Sequence, residues 1–120
     1  MSVHAYQAYR QTQVSTASQG ELLIMLYDGA LRFARQAREH LVNNELERAN
    51  EKLIRAQDIV NELNFSLNMD AGEIALNLGR LYDYIYDLLV QANIKKEPEK
   101  IDIALQMLDG LRDTWSQVVS

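Results

Sequence analysis

Residues 46–67 read LERANEKLIRAQDIVNELNFSL, and the spacing of their apolar side chains decides the fold. Leu46, Ala49, Leu53, Ala56, Val60, Leu63 and Leu67 are separated by steps of three and four in strict alternation. A repeat of 3.5 residues draws one apolar seam along a helix and lets it mesh with antiparallel neighbours at a small crossing angle.

The same pattern recurs on both sides of this stretch. Upstream it runs through Leu23, Leu26/Tyr27, Ala30, Phe33/Ala34, Ala37 and Leu41. Downstream it runs through Ile74, Leu78, Leu81, Ile85, Leu88 and Ala92, then through Ile101, Ala104, Leu108, Leu111, Trp115 and Val118. Asn43-Asn44 breaks the first pair, and Asn44 with Glu47 has the form of a cap for the second helix. Residues 68–72 separate the second helix from the third, with Asp70 and Glu73 as another cap-like pair. Residues 93–97 form the last connection, and Pro98 suits the first position of a helix. Short connections make successive helices antiparallel neighbours. The expected fold is all-α: an antiparallel up-down-up-down four-helix bundle with helices over about residues 18–42, 45–67, 72–93 and 98–118. Ser18 followed by Glu21 has the form of a capping box at the bundle's first helix. Residues 1–15, with Val3, Tyr6, Tyr9 and Val14 among polar side chains, read as a mobile N-terminal arm or short helix.

The chain's 120 residues make one domain. Absence of Cys rules out disulfides and thiolate sites, and no basic region followed by an apolar stretch marks a signal peptide. The longest apolar run, residues 22–27, is far too short to span a bilayer. Net charge is −5 with dispersed basic residues, so no nucleic-acid stripe is expected; Arg32, Arg35 and Arg38 read as a solvated helix face. A di-iron bundle needs Glu-x-x-His motifs, and neither His4 nor His40 stands three residues after a Glu. No phosphate loop or catalytic triad appears, so no cofactor, metal or catalytic residue is expected. The one enzyme-like alternative is a phosphotransfer or signalling bundle acting through His40, against which stands its position in the last turn of a helix, where a cation suits the dipole.

More apolar side chains lie on the helices than the seams use. Ala75, Tyr82, Tyr86 and Leu89 form a second stripe on the third helix, Ile103 and Met107 lie off the fourth seam, and Ile54 and Phe65 share an azimuth almost opposite the second. The tyrosines either widen the core with hydroxyls at its rim or line a groove. Gly29, Gly79 and Gly110 sit in helix interiors, where glycine costs about 1 kcal/mol relative to alanine. Gly79 shares a side with Tyr86, and Gly110 with Ile103 and Met107, so another backbone could come close there. The binding reading is a set of shallow grooves for amphipathic segments of a partner that arrives unfolded. Tyr6, Tyr9, Ile54, Phe65, Tyr82, Tyr86, Ile103 and Met107 are the expected contacts, with Tyr27 and Gly29 supporting the place where the arm docks and competes.

With these residues assembled, the sequence resembles the FliS family of flagellar export chaperones. The resemblance rests on Tyr6 and Tyr9, Thr16-Ala17-Ser18, Leu22-Leu23, Met25-Leu26-Tyr27-Asp28-Gly29-Ala30, Ala56, Ile59-Val60, Glu62-Leu63 and Ser66-Leu67. It continues through Asn77-Leu78, Leu81-Tyr82-Asp83-Tyr84, Ala92-Asn93, Leu108, Leu111-Arg112 and Trp115. It implies a cytoplasmic, non-enzymatic four-helix bundle that binds the disordered C-terminal region of flagellin, blocks its polymerisation and delivers it to the type III export apparatus of the flagellum. Export-gate components are second candidate partners, and neither nucleic acid nor membrane insertion is implied. A regulatory adaptor with another partner is a further alternative. Many relatives carry proline directly after the Ser of Thr-Ala-Ser, where Gln19 stands here. The expected consequence is a softer helix start.

Overall fold

The computed structural model describes residues 19–119. Tyr6, Tyr9, Ser18 and the rest of the arm region lie outside the described residues, so neither the arm nor the Ser18 cap is placed. Four helices follow one another: α1 Gln19–Val42, α2 Leu46–Phe65, α3 Glu73–Lys95 and α4 Pro98–Val119, with a single 3-10 turn at Met69–Ala71 between α2 and α3. Each packs on two neighbours, in the closed order α1, α2, α3, α4 and back to α1; the diagonal pairs make no close backbone approach.

Cross-helix polar contacts fix the direction of each pair. Asp28 meets Arg112, Arg35 meets Asp109 at 3.3 Å, and Arg38 meets Asp102 at 2.5 Å, so numbers rising along α1 match numbers falling along α4. Asn50 with Asn93 at 2.5 Å and Asn64 with Asp83 at 2.9 Å give the same antiparallel register for α2 and α3. The face expected to be merely solvated is therefore partly an ion-paired seam, with Arg35 and Arg38 drawn onto α4.

The helix ends differ from expectation in instructive ways. Asn44 has φ 59°, the Asn44 N–H donates to the Leu41 carbonyl at 3.1 Å, and the Glu45 N–H donates to the His40 carbonyl at 2.8 Å. This is a Schellman closure, so Asn44 ends α1 and does not cap α2. Asp70 likewise caps nothing: its N–H donates to Asn68 Oδ1 at 3.0 Å, which stabilises the 3-10 turn. Gly72 then enters α3 at φ 72°, a value that favours glycine. α3 stops at Lys96, also left-handed at φ 57°, and Pro98 opens α4 in the expected position.

The seams of α1, α2 and α4 are buried through their middles, from Leu26 to Leu41, Ala49 to Leu63 and Ile101 to Leu108. The expected seam of α3 is buried in its second half, at Ile85, Leu88 and Ala92, and is rolled out of the core in its first. Ile74 is 68% exposed and Leu81 38% exposed, whereas Ala75, Tyr82 and Leu89, spaced by seven, are buried. The second stripe of α3 is thus core along most of its length. The roll brings the Tyr82 hydroxyl to 2.5 Å from that of Tyr27, across the diagonal between α3 and α1. The rings stand 6.5 Å apart and tilted. Burial pushes both phenols up from the usual tyrosine value, Tyr27 strongly, so they serve as neutral hydrogen-bonding groups.

A buried hydroxyl stripped of its partner costs about 1–3 kcal/mol. Each hydroxyl is the other's partner, so Tyr27→Phe and Tyr82→Phe are each expected to lower urea-unfolding stability by about that amount. The double variant should be more stable than the sum of the two losses allows; strict additivity would show that the hydroxyls do not interact.

Candidate functional site

Helical phase, at about 100° per residue, decides which edge each outer side chain occupies. On α3, Gly79, Asp83 and Asn93 mark the edge against α2, because a Cβ on Gly79 would touch Leu67 and Asn64 while Asp83 and Asn93 bond to α2. Leu81 and Tyr84 fall on the other side of the core stripe, the edge towards α4. On α4, Asp102, Asp109 and Arg112 mark the edge against α1. Ile103 and Met107 fall on the opposite edge, towards α3, with Gly110 just outside them. The α3/α4 seam therefore carries Leu81 at 38%, Tyr84 at 51% and Ile103 at 41% exposure beside half-buried Met107. A Cβ added to Gly110 would meet nothing, so the backbone there is open to an incoming chain. No ion pair joins α3 to α4 among the described residues, in contrast to the three that close α1 onto α4.

The seam leads to one end of the bundle, where α1 and α3 begin and α2 and α4 end. An open, mostly apolar hollow of about 210 Å³ lies there, lined by Leu23, Leu63, Leu67, Leu78, Tyr82 and Trp115 with Ile74 at its rim. A second hollow of about 200 Å³ beside it is lined by Gln19, Leu22, Leu23, Leu26 and Ser66.

Only some expected contacts sit where a partner could touch them. Ile103 and Met107 line the α3/α4 seam. Ile54 and Phe65, the latter 75% exposed, lie on the back of α2, and half-buried Tyr86 lies towards the α2 edge of α3. Tyr27 and Tyr82 are fully enclosed, so their expected surface role gives way to a core one. Gly29 lies at a helix contact: a Cβ there would stand 3.0 Å from Ile59 Cδ1, so this glycine lets α1 and α2 approach. Gly79, expected on an outer face with Tyr86, faces α2. Leu81 and Tyr84 were not among the expected contacts; counting azimuths away from the Tyr82 stripe would have found them. His40 Nδ1 sits 3.0 Å from Glu45 Oε1, and this contact pulls the Glu45 carboxyl below its usual range. His40 thus ties the end of α1 to the start of α2.

This arrangement leaves apolar surface open along the α3/α4 seam and at one end of the bundle. A family model described as "Flagellar protein FliS" matches residues 2–120. The chain belongs to the FliS family. Among its relatives, the flagellar secretion chaperone FliS of Bacillus subtilis (strain 168) is 45% identical over 114 residues, covering 95% of this chain and 85% of that protein. The FliS of Vibrio cholerae serotype O1 is 32% identical over 117 residues, covering 93% and 86%. A solved structure titled "Crystal structure of flagellar chaperone from bacteria" superposes with a TM-score of 0.80 at 26% identity, covering 97% of this chain and 95% of that one. FliS proteins are chaperones and not enzymes, which overturns the phosphotransfer alternative through His40.

The glycines separate open backbone from close packing. Gly110→Ala is expected to raise stability by about 0.5–1 kcal/mol, because it adds helix propensity without a clash. Gly29→Val should instead lower it by about 1–3 kcal/mol through overpacking against Ile59. Chemical denaturation of both variants checks the pair; a stabilising Gly29→Val would remove Gly29 from the α1/α2 contact.

Proposed function

We propose that this FliS-family chain is a cytoplasmic chaperone for flagellin: it takes up the disordered C-terminal region, holds it back from polymerising and passes it to the flagellar type III export apparatus. The observation that carries this reading is the α3/α4 seam, where Leu81, Tyr84, Ile103 and Met107 stay partly open while the α1/α4 seam is ion-paired. Its apolar character suits the non-polar face of an amphipathic segment, and open backbone at Gly110 allows close approach.

Magnitudes argue for a cargo that wraps the bundle. Fully burying one large apolar side chain contributes about 1.5–3 kcal/mol, and these four are already partly covered. The remaining gain is a few kcal/mol, comparable with the ~2–5 kcal/mol that ordering a disordered segment consumes. A useful affinity therefore needs the end hollow and the back of α2, with Ile54 and Phe65, as further footholds. In this account residues 1–15 form an arm outside the bundle domain, and Tyr6 and Tyr9 compete for the apolar surface when cargo is absent. Competition of that kind lowers apparent affinity by the fraction of uncovered protein. Export-gate components are the partners expected to receive the loaded complex.

The test is calorimetric and circular-dichroism titration of the full chain with a flagellin C-terminal fragment. Expected are a gain of helix, a negative heat-capacity change, weaker binding by Tyr84→Glu with Ile103→Glu, and tighter binding once residues 1–15 are deleted. A bound fragment that stayed coil, or a well-folded groove variant that bound like the parent, would contradict the proposal.

A further inference from the structure

A second surface lies on the opposite side of the ring, along the α1/α2 seam. Phe33 of α1 is half-buried there and gathers three cations around its ring: the Arg32 guanidinium at 5.1 Å, the Lys52 ammonium at 5.6 Å and the Arg55 guanidinium at 5.6 Å. Each is attracted by the ring's electron-rich face, but the three repel one another. Only Arg55 has a carboxylate, Glu51, at 3.6 Å; Arg32 and Lys52 form no ion pair among the described residues. Arg48, one turn before Lys52, continues the strip and meets Glu45 at 3.7 Å.

This surplus stands out against the charge of the whole. The chain carries a net −5, and the other α1 arginines, Arg35 and Arg38, are matched by aspartates of α4. Charge is thus segregated, with a strip that keeps two unpaired cations, Arg32 and Lys52, on the face that the α3/α4 seam does not use. An extended polyanion such as nucleic acid would meet the acidic remainder of the surface, whereas a short segment would not.

We propose that the α1/α2 face around Phe33 docks an acidic protein segment, whose carboxylates pair with Arg32 and Lys52 and relieve the repulsion among the three cations. Because this seam and the α3/α4 seam lie on opposite sides of the ring, cargo in the α3/α4 groove does not itself cover the Phe33 face. The assignment is independent of the identity of the cargo.

Fluorescence anisotropy with a labelled poly-glutamate peptide and the full chain tests it. The parent chain should bind, and more weakly as salt rises. Arg32→Glu with Lys52→Glu should weaken binding by at least about tenfold, and the milder Arg32→Gln with Lys52→Gln should weaken it less. Lys95→Glu with Lys100→Glu, which changes net charge equally on α3 and α4 across the ring, should bind as the parent does. Failure of the parent to bind, equal losses in the two charge-reversed variants, or tighter binding of an oligodeoxythymidylate of matched charge would overturn the proposal.

Discussion

Two tyrosine hydroxyls meet at 2.5 Å across the diagonal of the bundle, and the rest of the geometry depends on that contact. Tyr27 and Tyr82 come from helices whose backbones do not approach each other, so their side chains alone span the centre. A buried hydroxyl needs a partner, and only a narrow range of rotations about the α3 axis supplies one. That requirement sets the roll of α3. Once Tyr82 points inward, Ala75 and Leu89 follow it into the core at spacings of seven, while Leu81 and Tyr84 are carried out to the edge facing α4.

Function follows from the difference between seams. α1 and α4 are held by Asp28–Arg112, Arg35–Asp109 and Arg38–Asp102, and α2 and α3 by asparagine bridges. Exposed ion pairs contribute little stability each, about 0–1 kcal/mol, but they occupy an edge with charge and leave it unattractive to an apolar guest. The α3/α4 edge has no such cover. An outer apolar edge is a liability in an isolated protein and an asset in one whose partner has to hide the same kind of surface. This FliS-family chain thus leaves an apolar edge open on one side and a cationic, aromatic surface on the other.

Much of this fold was legible in the sequence, since strict steps of three and four through residues 46–67 and their echoes define helices, seams and connections. The helix ends were less so. Asn44 is equally good as a cap and as a left-handed closing residue, and only the 2.8 Å bond from the Glu45 N–H to the His40 carbonyl separates the two uses. The candidate site was legible on α4, where Ile103 and Met107 lie plainly off the seam. It was obscured on α3, where two apolar stripes compete and periodicity cannot say which one the tyrosine hydroxyl draws inward. Glycines misled for a related reason: Gly29 and Gly110 look alike in a helical pattern, yet one touches Ile59 and the other faces open space.

The central claim, that cargo lies along the α3/α4 seam, is open to a direct footprint because the chain contains no cysteine. Single cysteines at Tyr84, Ile103 and, as a control, exposed Glu39 on the back of α1 can be alkylated with and without a flagellin C-terminal fragment. The account expects strong slowing of alkylation at positions 84 and 103 and little change at 39. Bound fragment that left both seam positions fully reactive would contradict it.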